Sequence, residues 1–189
     1  SMALAWERFP WAQAITSFTR ALGAAHTGDI AMAKAELGKL DSYHDALVQA
    51  KSAYWAGQVE VQRRTAAAAI ADAQGGSEEA LSLMRSAADL ESSTEKHPVT
   101  PAPIALAREL LGDMMLAMNQ PALALAEYQT TLRTDPNRYR SVAGAAEAAQ
   151  QAGDAAGAKQ YYSQLLQICA AADGDRPEIA AARKALAAN

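Results

Sequence analysis

The chain has 189 residues, half of them hydrophobic, and a formal net charge of −4, which suits one domain with a sizeable core. Acidic and basic residues are mixed throughout, and no block of Lys and Arg points to nucleic acid as a ligand. The single cysteine, Cys169, excludes an internal disulfide framework. No apolar stretch reaches the roughly 18–20 residues of a membrane helix. We therefore expect a soluble protein without membrane insertion, with the cytoplasm slightly favoured as its compartment.

Helix signals follow one another along the sequence, and no run of alternating Val, Ile and Thr indicates a strand. Apolar residues keep helical spacing over about 29–51 and again over about 54–74, so each stretch predicts one helix. A last helix is predicted at 176–188, where it would cover the apolar end of the domain. Because Gly and Asn end helices in the left-handed conformation, we expect pair-to-pair turns at four residues: Gly28, Gly75, Asn119 and Gly153.

Helix starts are marked by side chains that cap the first free N–H groups and by prolines that need no hydrogen bond there. The predicted capping residues are Asp29, Ser77, Thr100 and Asp154. The prolines expected near first-turn positions are Pro101, Pro121, Pro136 and Pro177. Together these signals predict four antiparallel helix pairs followed by the terminal helix.

A repeat is visible in the second half of the sequence. Ala158 follows Ala124, and Tyr162 follows Tyr128, at an interval of about 34 residues, the period of a helix-turn-helix repeat. The positions that carry the pattern are Leu111, Gly112, Ala124, Tyr128, Pro136, Gly153, Ala158 and Tyr162. On these residues, the range 101–170 resembles two consecutive tetratricopeptide repeats (TPR).

Two degenerate units with the same glycine and alanine spacing precede this range, at Gly28–Ala33 and Gly75–Ala80. The resemblance implies an all-α, right-handed superhelix of antiparallel helix pairs, an α-solenoid. Its units would span about 10–51, 54–95, 101–135 and 136–171 within a single domain from residue 4 to 189. Residues 1–3 are typical of a remnant of an expression vector.

Catalytic and metal-binding patterns are missing from the sequence. The three histidines (His26, His44 and His97) are far apart, and none has a metal-ligand neighbour at helical spacing. Cys169 has no histidine near it in sequence and is typical of a small buried side chain. We therefore expect no enzyme activity, no cofactor and no metal.

The TPR resemblance implies that the first helix of each pair lines a concave groove. The residues expected to contact a partner there are Trp11, Ile15, Phe18, Trp55, Gln62, Glu109, Asp113, Arg140 and Glu147. This groove would grade from aromatic to charged. Trp11, Ile15 and Phe18 lie on one side of the first predicted helix and are here called the Trp11 stripe. Two interpretations of this stripe stay open: it anchors a partner, or it is core that upstream repeats would cover. The segment 97–103 likewise is either a rigid ridge beside the groove or a capped linker.

The function expected from these observations is that of an interaction scaffold, which binds an unidentified peptide or helix of a partner protein. The alternative is a regulatory or accessory TPR module of a larger protein whose upstream domain carries the activity. A weaker third hypothesis is a small-molecule sensor. If upstream repeats are missing, the apolar surface around Trp6–Leu22 would also predict a homodimer through the first helix pair.

Overall fold

The computed structural model describes residues 5–94, 103–172 and 176–187, and within these ranges all regular structure is helical, without a strand. The all-α prediction is thus confirmed. A short 3-10 helix, Trp6–Arg8, is followed by nine α-helices in the described ranges. They are α1 (Pro10–His26), α2 (Ile30–Gln49), α3 (Ala53–Ala73), α4 (Ser77–Ser93), α5 (Ala107–Ala117), α6 (Pro121–Thr134), α7 (Tyr139–Gln151), α8 (Ala155–Ile168) and α9 (Pro177–Ala187).

The chain divides into two compact units, Ser1–Ala107 and Arg108–Asn189. In the first unit, α1 packs against α2 and α3, while α3 also packs against α2 and α4. In the second, α7 packs against α6 and α8, and α9 packs against α8. No described helix is both long and apolar enough to cross a membrane.

Left-handed residues form the turns, as expected, although their place in the helix order differs from the prediction. Gly28, Gly75 and Gly153 have φ of 79°, 82° and 81°, and Asn119 has φ of 56°. These four residues join the two helices of one pair, so the prediction of pair-to-pair turns there is wrong. The turn between α2 and α3 contains Lys51 (φ 54°) instead.

Asn137, with φ of 63°, lies between α6 and α7 in the same way. A lysine or asparagine at a positive φ is uncommon and gives no signal as strong as glycine does. For this reason the sequence indicates the turns within pairs more clearly than the turns between pairs.

Two of the predicted caps form. The Asp29 carboxylate accepts a hydrogen bond from the Met32 N–H at 3.0 Å, and Asp154 accepts one from the Gly157 N–H at 2.9 Å. Ser77 is instead the first residue of α4, because Gly76 precedes it as the N-cap. Thr100 lies outside the described residues.

Two of the four prolines expected near first-turn positions lie there. Pro121 and Pro177 are the first residues of α6 and α9, as expected. Pro136 lies in the turn between α6 and α7, so its predicted first-turn position is wrong. Pro101 lies outside the described residues.

Small residues dominate the core, since more than half of the buried hydrophobic residues are alanine. Ala124 and Ala158, predicted from the repeat to lie at helix crossings, are 0% and 6% exposed. Alanine allows helix axes to approach closely, but each one buries little apolar area. The few large buried side chains are therefore important, and Tyr128 is the largest of those that are fully buried.

The ring of Tyr128 fills a space left by two glycines. A Cβ built on Gly112 of α5 would lie 2.7 Å from the ring, and one built on Gly144 of α7 would overlap it as well. Tyr128 belongs to α6, so its ring occupies the place where three helices meet. The glycine of the Leu111-Gly112 pair is therefore explained by packing, because a larger residue at this position would overlap the Tyr128 ring.

The terminal helix α9 covers part of the second unit. Its residues Ile179 and Ala182 are 5% and 0% exposed, and Ala182 packs in a cluster with Tyr162 and Leu165 of α8. The predicted range 176–188 agrees with Pro177–Ala187 to within a residue at each end.

The two glycines give a direct test of this packing. We expect Gly144→Ala to destabilise the protein by about 1–3 kcal/mol, because its Cβ overlaps the fully buried ring of Tyr128, which Gly112 contacts from a second helix. Gly38→Ala is the matched control: it is also within a helix, but its Cβ meets nothing within 4 Å. There the higher helix propensity of alanine should stabilise by about 0.5–1 kcal/mol. Urea unfolding followed by circular dichroism measures both, and a stabilised Gly144→Ala variant would contradict this packing.

Candidate functional site

An apolar cavity in the first unit, here called the aromatic cavity, has a volume of about 260 Å³. Five residues predicted to bind a partner line it together: Trp11, Ile15, Phe18, Trp55 and Gln62. The first three lie on α1 and the other two on α3, and these helices pack directly against each other. The residues that the TPR resemblance places in a groove thus include side chains from two walls of this cavity.

Four aromatic rings contact one another in a row, and three of them, Trp11, Tyr54 and Trp55, line the cavity. Trp11 and Trp55 are stacked, with ring centroids 4.3 Å apart and an angle of 15° between the planes. Phe9 meets the edge of Trp11 at 6.3 Å, and Tyr54 meets Trp55 at 5.0 Å, both nearly perpendicular. Because the two tryptophans remain partly exposed, their stack joins α1 to α3 and still leaves ring surface available to a ligand.

The burial of the Trp11 stripe changes along its length, which bears on its two interpretations. Phe18 is only 6% exposed and is therefore mainly a core residue at the bottom of the cavity. Trp11 and Ile15 are half-buried and line the cavity above it. The stripe is thus core at one end and accessible at the other.

One wall of the aromatic cavity is polar. Gln58, Gln62 and Thr65 follow one another along α3 and all line the space. The Thr65 hydroxyl donates to the carbonyl of Val61 at 2.8 Å. By contrast, Oε1 of Gln62 is buried and has no hydrogen-bond partner among the described residues. A buried acceptor without a donor costs about 1–3 kcal/mol.

The segment before α5 supplies the remaining wall, which the sequence did not predict in detail. Pro103, Ile104 and Ala105 line the cavity, and Ile104 is 69% exposed. The segment is held where the N–H of Ala107 donates to the Glu91 carboxylate at 2.9 Å. Of the segment 97–103, for which the sequence leaves a ridge and a capped linker open, only Pro103 lies within the described residues, and it lines the cavity.

A second cavity lies within the second unit and is here called the polar cavity. Its volume is about 630 Å³, and three predicted partner-binding residues line it: Asp113, Arg140 and Glu147. Tyr128, Tyr139, Arg176 and Glu178 also contribute to its walls. The sequence does not single out these aromatic and charged side chains as site residues, because they come from two different helices, α6 and α7, and from the start of α9.

Most charges in the polar cavity already have partners. Tyr128 donates its hydroxyl proton to Asp113 at 2.5 Å, and the Arg140 guanidinium pairs with the other oxygen of this carboxylate. Tyr139 donates to Glu178 at 3.0 Å, and the Arg176 guanidinium lies 5.0 Å from the centre of the Tyr139 ring. The charges of Asp113 and Arg140 therefore neutralise each other, whereas the sequence analysis treats both residues as available to a partner.

Burial raises the pKa of the Tyr128 phenol far above its ordinary value, and the negative charge of Asp113 raises it further. The Tyr128 hydroxyl consequently stays protonated, and remains a hydrogen-bond donor to Asp113, at neutral pH and above the ordinary pKa of a phenol. Glu147 is an exposed acid of the cavity, as Glu178 is, and it accepts a hydrogen bond from Gln151 at 3.0 Å.

Glu109 does not occupy the position that the sequence predicts. It was predicted to face the groove, but it is 0% exposed and does not line either cavity. Its Oε1 atom lies 2.8 Å from Nε of Arg138 and accepts a hydrogen bond from the Ser141 hydroxyl at 2.5 Å. Glu109 thus connects α5 to the start of α7 and cannot contact a partner.

The described ranges contain no group of three or more His, Cys, Asp or Glu side chains placed to hold an ion. The lining of the aromatic cavity offers aromatic and apolar contact, and that of the polar cavity offers hydrogen bonds and charge. The sequence matches no protein-family model, and no curated protein matches it significantly.

Alkaline pH should reveal the Tyr128–Asp113 hydrogen bond. At neutral pH we expect Tyr128→Phe to lower the free energy of unfolding by about 0.5–1.5 kcal/mol. Above about pH 10 the unfolded chain loses the Tyr128 proton while the folded protein keeps it, because the folded pKa is raised. Stability of the parent protein then falls with pH, so its advantage over Tyr128→Phe should shrink. Urea unfolding at pH 7 and about pH 11 measures this, and a constant difference would argue against it.

The buried Glu109 should be needed for stability. We expect Glu109→Ala to destabilise the protein by about 1–3 kcal/mol, because the Arg138 and Ser141 side chains lose an acceptor in a buried place. Glu147→Ala, which removes an exposed acid from the same unit, should change stability by less than about 0.5 kcal/mol. Equal effects of the two substitutions in urea unfolding would show that Glu109 is not structural.

Proposed function

We propose that this protein is an interaction module that binds a peptide or helix of a partner protein through the aromatic cavity. The observation that carries the proposal is the meeting of the half-buried Trp11, Ile15 and Trp55 around one apolar space. Aromatic side chains that are partly exposed and held rigidly are typical of the residues that dominate binding energy at protein interfaces.

The size of the cavity supports a side chain as its occupant. Its volume of about 260 Å³ lies below the roughly 300–1,000 Å³ of ordinary small-molecule sites. A space of this size accommodates one large side chain from a partner whose backbone stays outside. At the aromatic cavity, this size favours binding of a partner's side chain over binding of a free small molecule.

The polar cavity is a candidate for further contact with a partner, and its role differs from the one first expected. Asp113 is engaged by Tyr128 and Arg140, and Glu109 is buried. Glu147, which is exposed and lines this cavity, is one acid that a basic side chain of the partner would face. Such an exposed contact contributes to orientation and association rate more than to affinity, and it weakens with salt.

We also propose that the chain is a divergent member of the tetratricopeptide repeats. Four observations support this assignment: helix pairs joined by left-handed residues, buried alanines at the repeat spacing, tyrosines at the same spacing, and a glycine opposite the first tyrosine. Under this proposal the aromatic cavity corresponds to part of the family's binding groove.

A peptide-display selection against the 189-residue chain tests the proposed function. We expect the enriched peptides to share one large apolar or aromatic residue, because burying it contributes about 1.5–3 kcal/mol. Ile15→Asp places a charge on the cavity wall and should weaken the selected peptides about 10- to 100-fold by fluorescence titration. Leu123→Asp is the control, since Leu123 is 51% exposed and lines neither cavity.

The selection has two outcomes that would contradict the proposal. One is enrichment of acidic peptides without apolar anchors. The other is equal binding of the selected peptides to Ile15→Asp and to Leu123→Asp, provided that both variants keep the circular dichroism spectrum of the parent.

A further inference from the structure

We propose that the side chain accepted by the aromatic cavity is tryptophan, and that its indole N–H donates a hydrogen bond to Oε1 of Gln62. This inference rests on the proposed function and specifies its ligand. It is carried by two features of one space: aromatic rings on one side, and a buried acceptor without a donor on the other.

The unsatisfied acceptor selects for a donor. Gln62 lines the cavity, and no described residue donates to its Oε1. The neighbouring hydroxyl of Thr65 cannot serve, because its proton is directed to the Val61 carbonyl. The terminal torsion of glutamine is soft, so a small rotation presents Oε1 to an occupant of the cavity that Gln62 lines. A ligand that donates there removes an existing penalty as well as adding a bond.

The rest of the wall restricts which donor fits. Trp11, Ile15 and Phe18 offer apolar and aromatic surface, against which a charged side chain would lose hydration. The Glu91 carboxylate, which also lines the space, already accepts the N–H of Ala107. An uncharged aromatic donor is therefore favoured.

Between the two aromatic residues that carry a donor, the indole is the better match. The Trp N–H is a donor only, whereas the Tyr hydroxyl also brings lone pairs that need partners. Within this cavity such lone pairs would meet the largely apolar wall. Tryptophan also buries more surface, and a ring at the Trp11–Trp55 run adds aromatic contact.

The experiment uses N-acetyltryptophanamide, its 1-methylindole analogue and N-acetylphenylalaninamide as probes. Binding to the 189-residue chain is followed by NMR chemical-shift changes at amides of α1 and α3. We expect N-acetyltryptophanamide to bind about tenfold more tightly than the 1-methyl analogue, which lacks the donor. The phenylalanine probe should be weaker than tryptophan by at least as much.

Variants separate the hydrogen bond from steric effects of the methyl group. In Gln62→Met the acceptor is lost at similar length, so the two tryptophan probes should bind equally. Gln74→Met is the control, because Gln74 is exposed and does not line the cavity. It should keep the tenfold preference. A preference that survives in Gln62→Met would overturn the role of Gln62.

The outcomes distinguish the inference from the proposed function. Equal binding of all three probes to the parent protein would overturn the choice of tryptophan and leave the cavity as an apolar anchor site. Tighter binding of the 1-methyl analogue would do the same. If no probe shifts the amides of α1 and α3 at millimolar concentration, and the peptide selection also gives no anchor, both proposals fail.

Discussion

The second unit depends on the placement of the Tyr128 ring against two helices that lack a Cβ at the point of contact. Gly112 and Gly144 allow α5 and α7 to approach α6 more closely than an alanine would permit. The ring brings the apolar area that an alanine-rich core otherwise lacks. Because its hydroxyl then needs an acceptor, the same packing fixes Asp113, and Asp113 in turn holds Arg140. The wall of the polar cavity is thus a consequence of how the core is packed.

The first unit uses large rings in a different way. Trp11 and Trp55 stack across α1 and α3 near the surface, while Ala14, Ala21 and the neighbouring small residues close the interior. Rings that stack on each other at 4.3 Å do not fill the space beneath them. The contact that joins the two helices therefore also leaves the aromatic cavity open. Under the proposed function, rings that already stack on each other before a ligand arrives lower the entropy cost of binding.

The sequence predicts most helices because their signals are local. The apolar spacing over 29–51 anticipates Ile30–Gln49, and left-handed glycines mark the turns within pairs. The same period places Trp55 and Gln62 on one face of α3. This spacing does not show which residues from distant parts of the chain contact a given side chain. Glu109 falls on the expected face of α5, yet Arg138 and Ser141 meet it there and bury it.

The two cavities differ in how much of their chemistry remains available to a partner. In the polar cavity, the Tyr128–Asp113–Arg140 and Tyr139–Glu178 contacts satisfy much of the hydrogen-bonding capacity within the unit. A ligand there must compete with these contacts or with water, so each new contact adds little net free energy. In the aromatic cavity, apolar surface is exposed and an acceptor is already unsatisfied, so an occupant gains on both counts. Volume alone would favour the polar cavity, but the free energy available for recognition favours the smaller one.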